Sequence, residues 1–239
     1  VKGKNDFIGG LYHTNEIWKN WNNLTDIIKT GKPELAKKDI IQKEYFIAAM
    51  HFRALKESKI LASMLDLDNI TKMLDVGGGS GIFSMAFIEK NKNIFSTIFD
   101  LPEIIQITQK YVNEFIYKEN IILKEGNYLF DDFDSNYDLI FLSSIIHINS
   151  YEQNMILIKK CCDSLNNNGQ IIIKDWIMND EKTEPTDGAI FSINMLVSTE
   201  FGDVYSEKEI KEWFYNAGIK KIEKKTTSFG WDLLIGYKS

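Results

Sequence analysis

The chain has 239 residues, of which 44% are hydrophobic and 26% charged, the make-up of an ordinary globular protein rather than a disordered or fibrous one. A formal net charge of −6 removes any general attraction to nucleic acid or to an anionic membrane. No apolar run approaches the roughly 20 residues that cross a bilayer, and Val1 to Gly10 does not have the pattern of a signal peptide. The only cysteines, Cys161 and Cys162, are adjacent, and His13, His51 and His147 are dispersed, so neither a disulfide framework nor a metal site is expected and a cytoplasmic setting fits.

Taken in chain order, Leu11 to Lys29 and roughly Lys43 to Leu65 have helical periodicity and are separated by a turn at Gly31-Lys32-Pro33. From residue 70 onward, apolar strand-like runs alternate with helices. Strands are predicted near 71–76, 94–99, 120–125, 137–143 and 169–175, and helices near 81–90, 102–118 and 150–165. Further helices are predicted near 184–199 and 206–217. Two last strands, 219–226 and 231–237, lie close enough for a hairpin through Ser228-Phe229-Gly230. The alternation specifies an α/β fold, a mostly parallel Rossmann-like sheet with a C-terminal antiparallel hairpin, preceded by a helical segment. No repeat or low-complexity tract interrupts it.

The first strand runs into Asp75-Val76-Gly77-Gly78-Gly79-Ser80-Gly81. Glycines at Gly77, Gly79 and Gly81 let the backbone take positive φ and bring N–H groups against a ligand. Asp75 is placed for a cationic or amino group. A dinucleotide fingerprint beginning at Gly77 would need glycine at position 82, where the chain has Ile82, so a nicotinamide-dependent oxidoreductase is disfavoured. The second strand ends in Asp100-Leu101, nineteen residues after Gly81, the place of an acidic side chain that accepts from ribose hydroxyls. After the third strand, Asn127-Tyr128 offers a polar tip and an aromatic face suited to adenine. The glycine turn, the Asp100 tip and this loop are expected to line one pocket.

The fourth strand leads through Ser143 to His147, and the fifth ends at Asp175. A neutral imidazole is the usual proton acceptor near neutral pH. A carboxylate at the neighbouring strand tip would fix its tautomer and stabilise the imidazolium.

These strings together carry a resemblance: LDVGGGSG, FDLPEII at 99–105, GNYLF, IIHINSYEQN at 145–154, NNNGQIIIKDWI at 166–177 and INMLVSTEFGDVYSEKE at 193–209. From about Leu11 onward the chain resembles the bacterial branch of the small-molecule O-methyltransferases that include plant caffeate and hydroxyindole enzymes. The resemblance implies a class I S-adenosylmethionine-dependent enzyme, releasing S-adenosylhomocysteine, without a metal, and acting on a small aromatic or polyketide-like acceptor. It places Asp75, Gly77, Gly79, Gly81, Asp100, Leu101, Asn127, Tyr128 and Ser143 at the cofactor, His147 as base and Asp175 as a flanking acid. Phe191, Asn194 and Met195 would wall the acceptor pocket. Trp18 and Trp21 share a helix face. The implied organisation is a helical segment over 1–69, supplying acceptor-pocket and dimer contacts, and a cofactor-binding domain over 70–239. A homodimer is implied for the full-length form, since relatives carry an N-terminal winged-helix dimerisation domain that this chain is expected to lack.

The sequence departs from those relatives in three places. Many have aspartate where this chain has Asn127. The plant enzymes follow the histidine with Asp-Trp, here Ile148-Asn149, and carry a second glutamate near Val204, for which Asp203 or Glu200 are the candidate substitutes. Transfer to carbon or nitrogen, and a non-catalytic cofactor-binding or dimerisation module, therefore stay open as alternatives.

Overall fold

Three helices precede the first strand in the structure, a computed structural model that describes residues 4–33 and 39–239. They are α1 (Lys4–Asn22), α2 (Leu24–Thr30) and α3 (Ile40–Met64). The single helix expected over 11–29 is broken at Asn23, whose φ of −90° and ψ of 0° leave the helical region. α2 stops at Gly31 in the left-handed conformation, φ 71°, which glycine tolerates without strain. α3 opens with a capping box in which Asp39 accepts from the Gln42 N–H and the Gln42 side chain accepts from the Asp39 N–H.

Beyond residue 70 the elements are β1 (Lys72–Val76), α4 (Ile82–Lys90), β2 (Phe95–Asp100), α5 (Pro102–Asn113), β3 (Ile121–Glu125), β4 (Tyr137–Ser143), α6 (Tyr151–Ser164), β5 (Leu165–Asp175), β6 (Ile177–Met178), α7 (Thr186–Ser198), β7 (Tyr205–Ser206), α8 (Glu207–Asn216), β8 (Lys221–Lys225) and β9 (Asp232–Tyr237). The chain divides into two compact units, one of Val1–Glu16 and Lys37–Asp131, the other of Ile17–Ala36 and Asp132–Ser239.

In the first unit β2 lies between β1 and β3, parallel to both. Residues 73–76 of β1 and 96–99 of β2 are buried at every position, the uninterrupted pattern of strands covered on both faces. α5 is amphipathic over two adjacent stripes. Ile105 and Val112 join Met85 and Ile98, whereas Ile104 and Ile107 join Ile47 of α3. In the second unit β4 and β5 are parallel, and β5, β9 and β8 continue antiparallel. Its core holds Tyr137, Phe141, Trp213 and Phe214, all fully buried. The architecture is α/β with mostly parallel strands and the expected C-terminal hairpin. Among the described residues no helix is long and apolar enough to cross a membrane.

Candidate active site

Within the first unit, the five residues between β1 and α4 form the glycine turn. Gly77, Gly79 and Gly81 have φ of 65°, 56° and 75°, the left-handed region that a Cβ disfavours. The Gly77 N–H donates to the Phe99 carbonyl at 2.8 Å, the Gly79 N–H to Asp100 Oδ2 at 2.9 Å, and the Gly126 N–H to the Asp100 carbonyl at 2.9 Å. Turn, β2 tip and the loop after β3 therefore meet at Asp100. Gly78 is a further requirement that the alternating-glycine pattern does not reveal, because a Cβ there would lie 2.8 Å from Ile98 Cγ2 and 2.9 Å from Asp75 Cγ.

Asp75 sits beneath this turn, only 2% exposed, and its Oδ2 accepts from Ser84 Oγ at 2.6 Å. Ser84 and Ser96 hydroxyls are 2.8 Å apart. Burial pushes the Asp75 carboxyl up to about 7; the Ser84 bond opposes this and the nearby Asp100 charge adds to it. Burial likewise raises Asp100 to about 6, against the opposing effect of N–H donors from Gly79 and Leu101. The two carboxylates thus differ in surroundings: Asp75 is committed to α4, and Asp100 grips the turn itself. Leu101 caps α5 with its side chain partly exposed. Asn127 Oδ1 accepts from the Leu129 N–H at 2.9 Å, and its own N–H donates to Asp131 Oδ2 at 2.7 Å, which folds the loop that carries half-buried Tyr128. Two contacts steady the turn that nothing in the sequence singles out: His51 Nδ1 lies 2.9 Å from Ser80 Oγ, and Thr108 Oγ1 donates to the Gly79 carbonyl.

Within the second unit, half-buried Ser143 ends β4 opposite Lys174 of β5. Ser144 turns the chain with φ 59° and donates its N–H to the Lys174 carbonyl. A short 3-10 turn, Ile146–Ile148, follows and carries His147. Because β4 and β5 are paired in parallel, Asp175 at the β5 terminus comes beside it. His147 Nδ1 lies 2.8 and 3.0 Å from the two Asp175 oxygens, and the Trp176 N–H also donates to Asp175 Oδ1 at 2.8 Å. The side chains are 12% and 2% exposed. A hydrogen bond from Nδ1–H to Asp175 puts the ring proton on Nδ1 and the lone pair on Nε2.

Of the three α7 residues, Phe191 meets His147 edge to face, with ring centres 4.8 Å apart at 85°, and lies 6.2 Å from the Trp176 ring. Asn194 Oδ1 accepts from Trp21 Nε1 at 3.2 Å, and Met195 is buried. Trp21 thus turns inward while its neighbour Trp18 is 72% exposed. The candidate second acids do not reach the imidazole: Asp203 pairs with Lys182 at 2.9 Å, Glu200 is exposed, and Val204 is buried. A groove of about 1080 Å³ elsewhere in this unit, lined by Asn179, Glu207, Lys211, Lys224 and Asp232 among others, includes none of the predicted site residues. Among the described residues no cluster of histidine, cysteine and acidic side chains could hold a metal ion.

A family model described as the O-methyltransferase domain matches residues 21–220. The 3-hydroxy-5-methyl-1-naphthoate 3-O-methyltransferase of Streptomyces sahachiroi is 25% identical over 232 residues, 93% of this chain and 67% of that protein. The L-tyrosine C(3)-methyltransferase of Streptomyces lavendulae is 30% identical over 173 residues, 72% of this chain and 47% of that one. Among solved structures, an O-methyltransferase family protein from Burkholderia thailandensis has the same fold, with a TM-score of 0.88 at 22% identity over 97% of this chain and 71% of its own. The chain thus spans between about half and two thirds of these two curated relatives.

Proposed function

The chain belongs to the O-methyltransferase domain family, and from that premise we propose that it transfers a methyl group to a hydroxyl of a small aromatic or polyketide-like molecule, with His147 as general base. The observation that carries this is the His147–Asp175 pair: an imidazole at a strand end, its Nδ1 2.8 Å from a buried carboxylate.

S-adenosylmethionine fits the first unit. The N–H groups of Gly77, Gly79 and Gly81 are spent on the Phe99 carbonyl, Asp100 and the Gly78 carbonyl, so what the turn presents to a ligand is the open space over Gly79, where a Cβ would meet only Ile47 Cδ1 at 3.5 Å. Asp100 still has acceptor capacity for ribose hydroxyls after taking two N–H bonds. Gly77, Gly79, Gly81, Asp100 and Leu101 would hold the cofactor together with Asn127 and Tyr128, and Asp75, buried beneath the turn and bonded to Ser84, would act on the cofactor's amino end through the turn. When bound, it supplies a methyl group already activated by a sulfonium. What remains for the protein is alignment, exclusion of water and removal of one proton. His147 Nε2 takes the acceptor hydroxyl proton, while Asp175 holds the ring and stabilises the imidazolium. Phe191, with Asn194 and Met195, shapes the acceptor side. We further propose a homodimer, supported by exposed Phe7, Leu11 and Trp18 on α1, and a cytoplasmic setting, in keeping with two buried free cysteines.

Calorimetry with S-adenosylmethionine, S-adenosylhomocysteine and NAD, followed by transfer of labelled methyl to a panel of phenols, catechols and naphthols, tests the proposal. Binding of both adenosyl ligands and labelling that is lost in His147→Ala is expected. Tight NAD binding without a response to S-adenosylhomocysteine would end it. The relation to a tyrosine C(3)-methyltransferase favours one second reading, transfer to an aromatic carbon. The carbon NMR shift of the transferred methyl separates a methoxy from an aryl-methyl product.

A further inference from the structure

The turn that bears His147 is too short to aim its ring unaided. It is three residues of 3-10 helix, with backbone bonds from the Ile148 N–H to the Ile145 carbonyl at 3.1 Å and from the Asn149 N–H to the Ile146 carbonyl at 3.4 Å. Such turns have poor hydrogen-bond geometry and little cooperativity. Three buried polar side chains grip it from outside. Asn154, in the second turn of α6 and 0% exposed, donates Nδ2–H to the Ile146 carbonyl at 2.8 Å. Asn149, 2% exposed, donates its side-chain N–H to Asn154 Oδ1 at 3.0 Å. Tyr205 of β7, 3% exposed, donates its hydroxyl to the Asn149 carbonyl at 2.6 Å. The Ile146 carbonyl, just before His147, and the Asn149 carbonyl, two residues after it, are therefore held by side chains eight and 56 residues away.

Tyr205 is itself fixed. Its ring meets Trp213 edge to face at 4.8 Å and lies under Lys182 Nζ, 5.1 Å from the ring centre. Burial raises its hydroxyl above the usual range, so it stays a donor. Gly202, shortly before it, admits the close approach: a Cβ there would lie 2.4 Å from the His147 carbonyl oxygen.

We propose that Asn149, Asn154 and Tyr205 are positioning residues for His147, setting the backbone so that Nδ1 faces Asp175 and Nε2 faces the acceptor. The proposal rests on His147 being the base, but the geometry it concerns can be read without any methyl transfer. Desolvated amide and hydroxyl groups bonded this way are costly to leave partnerless, so the network has two states, made or broken, rather than a continuum.

The chain has only three histidines, which makes a direct test practical. Long-range proton–nitrogen spectra of histidine-labelled full chain at pH 8.5 report each ring's tautomer, and His147→Gln assigns the signal. In the wild type His147 should show a single tautomer with the proton on Nδ1. In Tyr205→Phe, and separately in Asn154→Leu, its two nitrogen signals should move toward the averaged positions of a free imidazole. His13, His51 and the affinity for S-adenosylhomocysteine should stay as they were. An unchanged His147 tautomer in both variants overturns the proposal. So does a shift of all three histidines together, since the network would then be general core. If instead the tautomer moves as expected while His147→Ala methylates at the wild-type rate, the base assignment fails and the positioning stands.

Discussion

Replacing Asp75 by asparagine should give a stability gain over the wild type that grows with pH, and should weaken the grip on the cofactor. The carboxyl is 2% exposed and pushed up to about 7, against an ordinary value of about 3.9. Between roughly pH 4 and 7 the folded chain therefore keeps a proton that the unfolded chain has released. Wherever the native state binds more protons, stability falls as pH rises, by about 1.4 kcal/mol per unit for one group. Stability from this site is thus fullest below about pH 4, and roughly 4 kcal/mol has gone by pH 7. Asparagine keeps an oxygen for Ser84 but carries no charge to desolvate. The unfolding free energy of Asp75→Asn minus that of the wild type should accordingly grow by about 3 kcal/mol between pH 5 and pH 8. Asp100, raised to about 6, titrates in both proteins and largely cancels in the difference. Urea unfolding followed by tryptophan fluorescence at four pH values measures it. Parallel stability curves for the two proteins would refute the reasoning. The same variant should bind S-adenosylhomocysteine more weakly, the trade expected where a strained group serves a site.

Gly79→Val should abolish S-adenosylhomocysteine binding in calorimetry yet leave far-UV dichroism close to wild type, because a Cβ at Gly79 meets only Ile47 Cδ1 at 3.5 Å while the φ of 56° becomes strained. Asp100→Ala should raise the Kd about tenfold or more, at roughly 0.5–1.5 kcal/mol per lost hydrogen bond and up to about 3 for a charged acceptor. In the wild type, affinity should fall on acidification through about pH 6, as the raised Asp100 carboxyl takes up its proton and loses charge toward ribose hydroxyls; a flat profile from pH 8 to 5 would contradict it. Asp175→Asn should lower turnover by less than the roughly 10²- to 10⁴-fold expected of His147→Ala, with cofactor affinity unchanged in both.

What could be read from the residues was whatever is local in the chain. Glycines at alternate positions after a short apolar strand announce a turn, and Asp100 and Asp175 mark strand ends because each closes an apolar run. The Asn23 break is hidden in Trp21-Asn22-Asn23-Leu24, which contains neither glycine nor proline to mark it. β5 begins at Leu165 rather than near 169, since Asn168 adopts φ 65° and the pairing with β4 shifts register between Tyr137 and Leu139, accommodating a polar stretch that reads as loop. β6 and β7, two residues each, are too short for any periodicity. The Tyr205 bond to Asn149 spans 56 residues and leaves no pattern in either segment.

The same non-locality bears on how the base is oriented. The resemblance implies a second acid near position 204 in the plant enzymes, whereas here Val204 is buried and Asp203 is drawn off by Lys182. Among the described residues one carboxylate, Asp175, faces the ring. A single hydrogen-bonded partner fixes the tautomer only while Nδ1 is held facing it, and that direction is left to the backbone beneath the ring. Orientation must then come from the backbone of the turn, which Asn154 holds at the Ile146 carbonyl and Tyr205 at the Asn149 carbonyl. The place of Asp-Trp in the plant enzymes is taken here by Ile148-Asn149, and the asparagine adds an amide to the buried network. On the proposed function, an asparagine at 149 and an asparagine at 154 are then a matched pair, and exchanging Asn149 alone for the tryptophan of the plant enzymes should disturb the base more than it restores it.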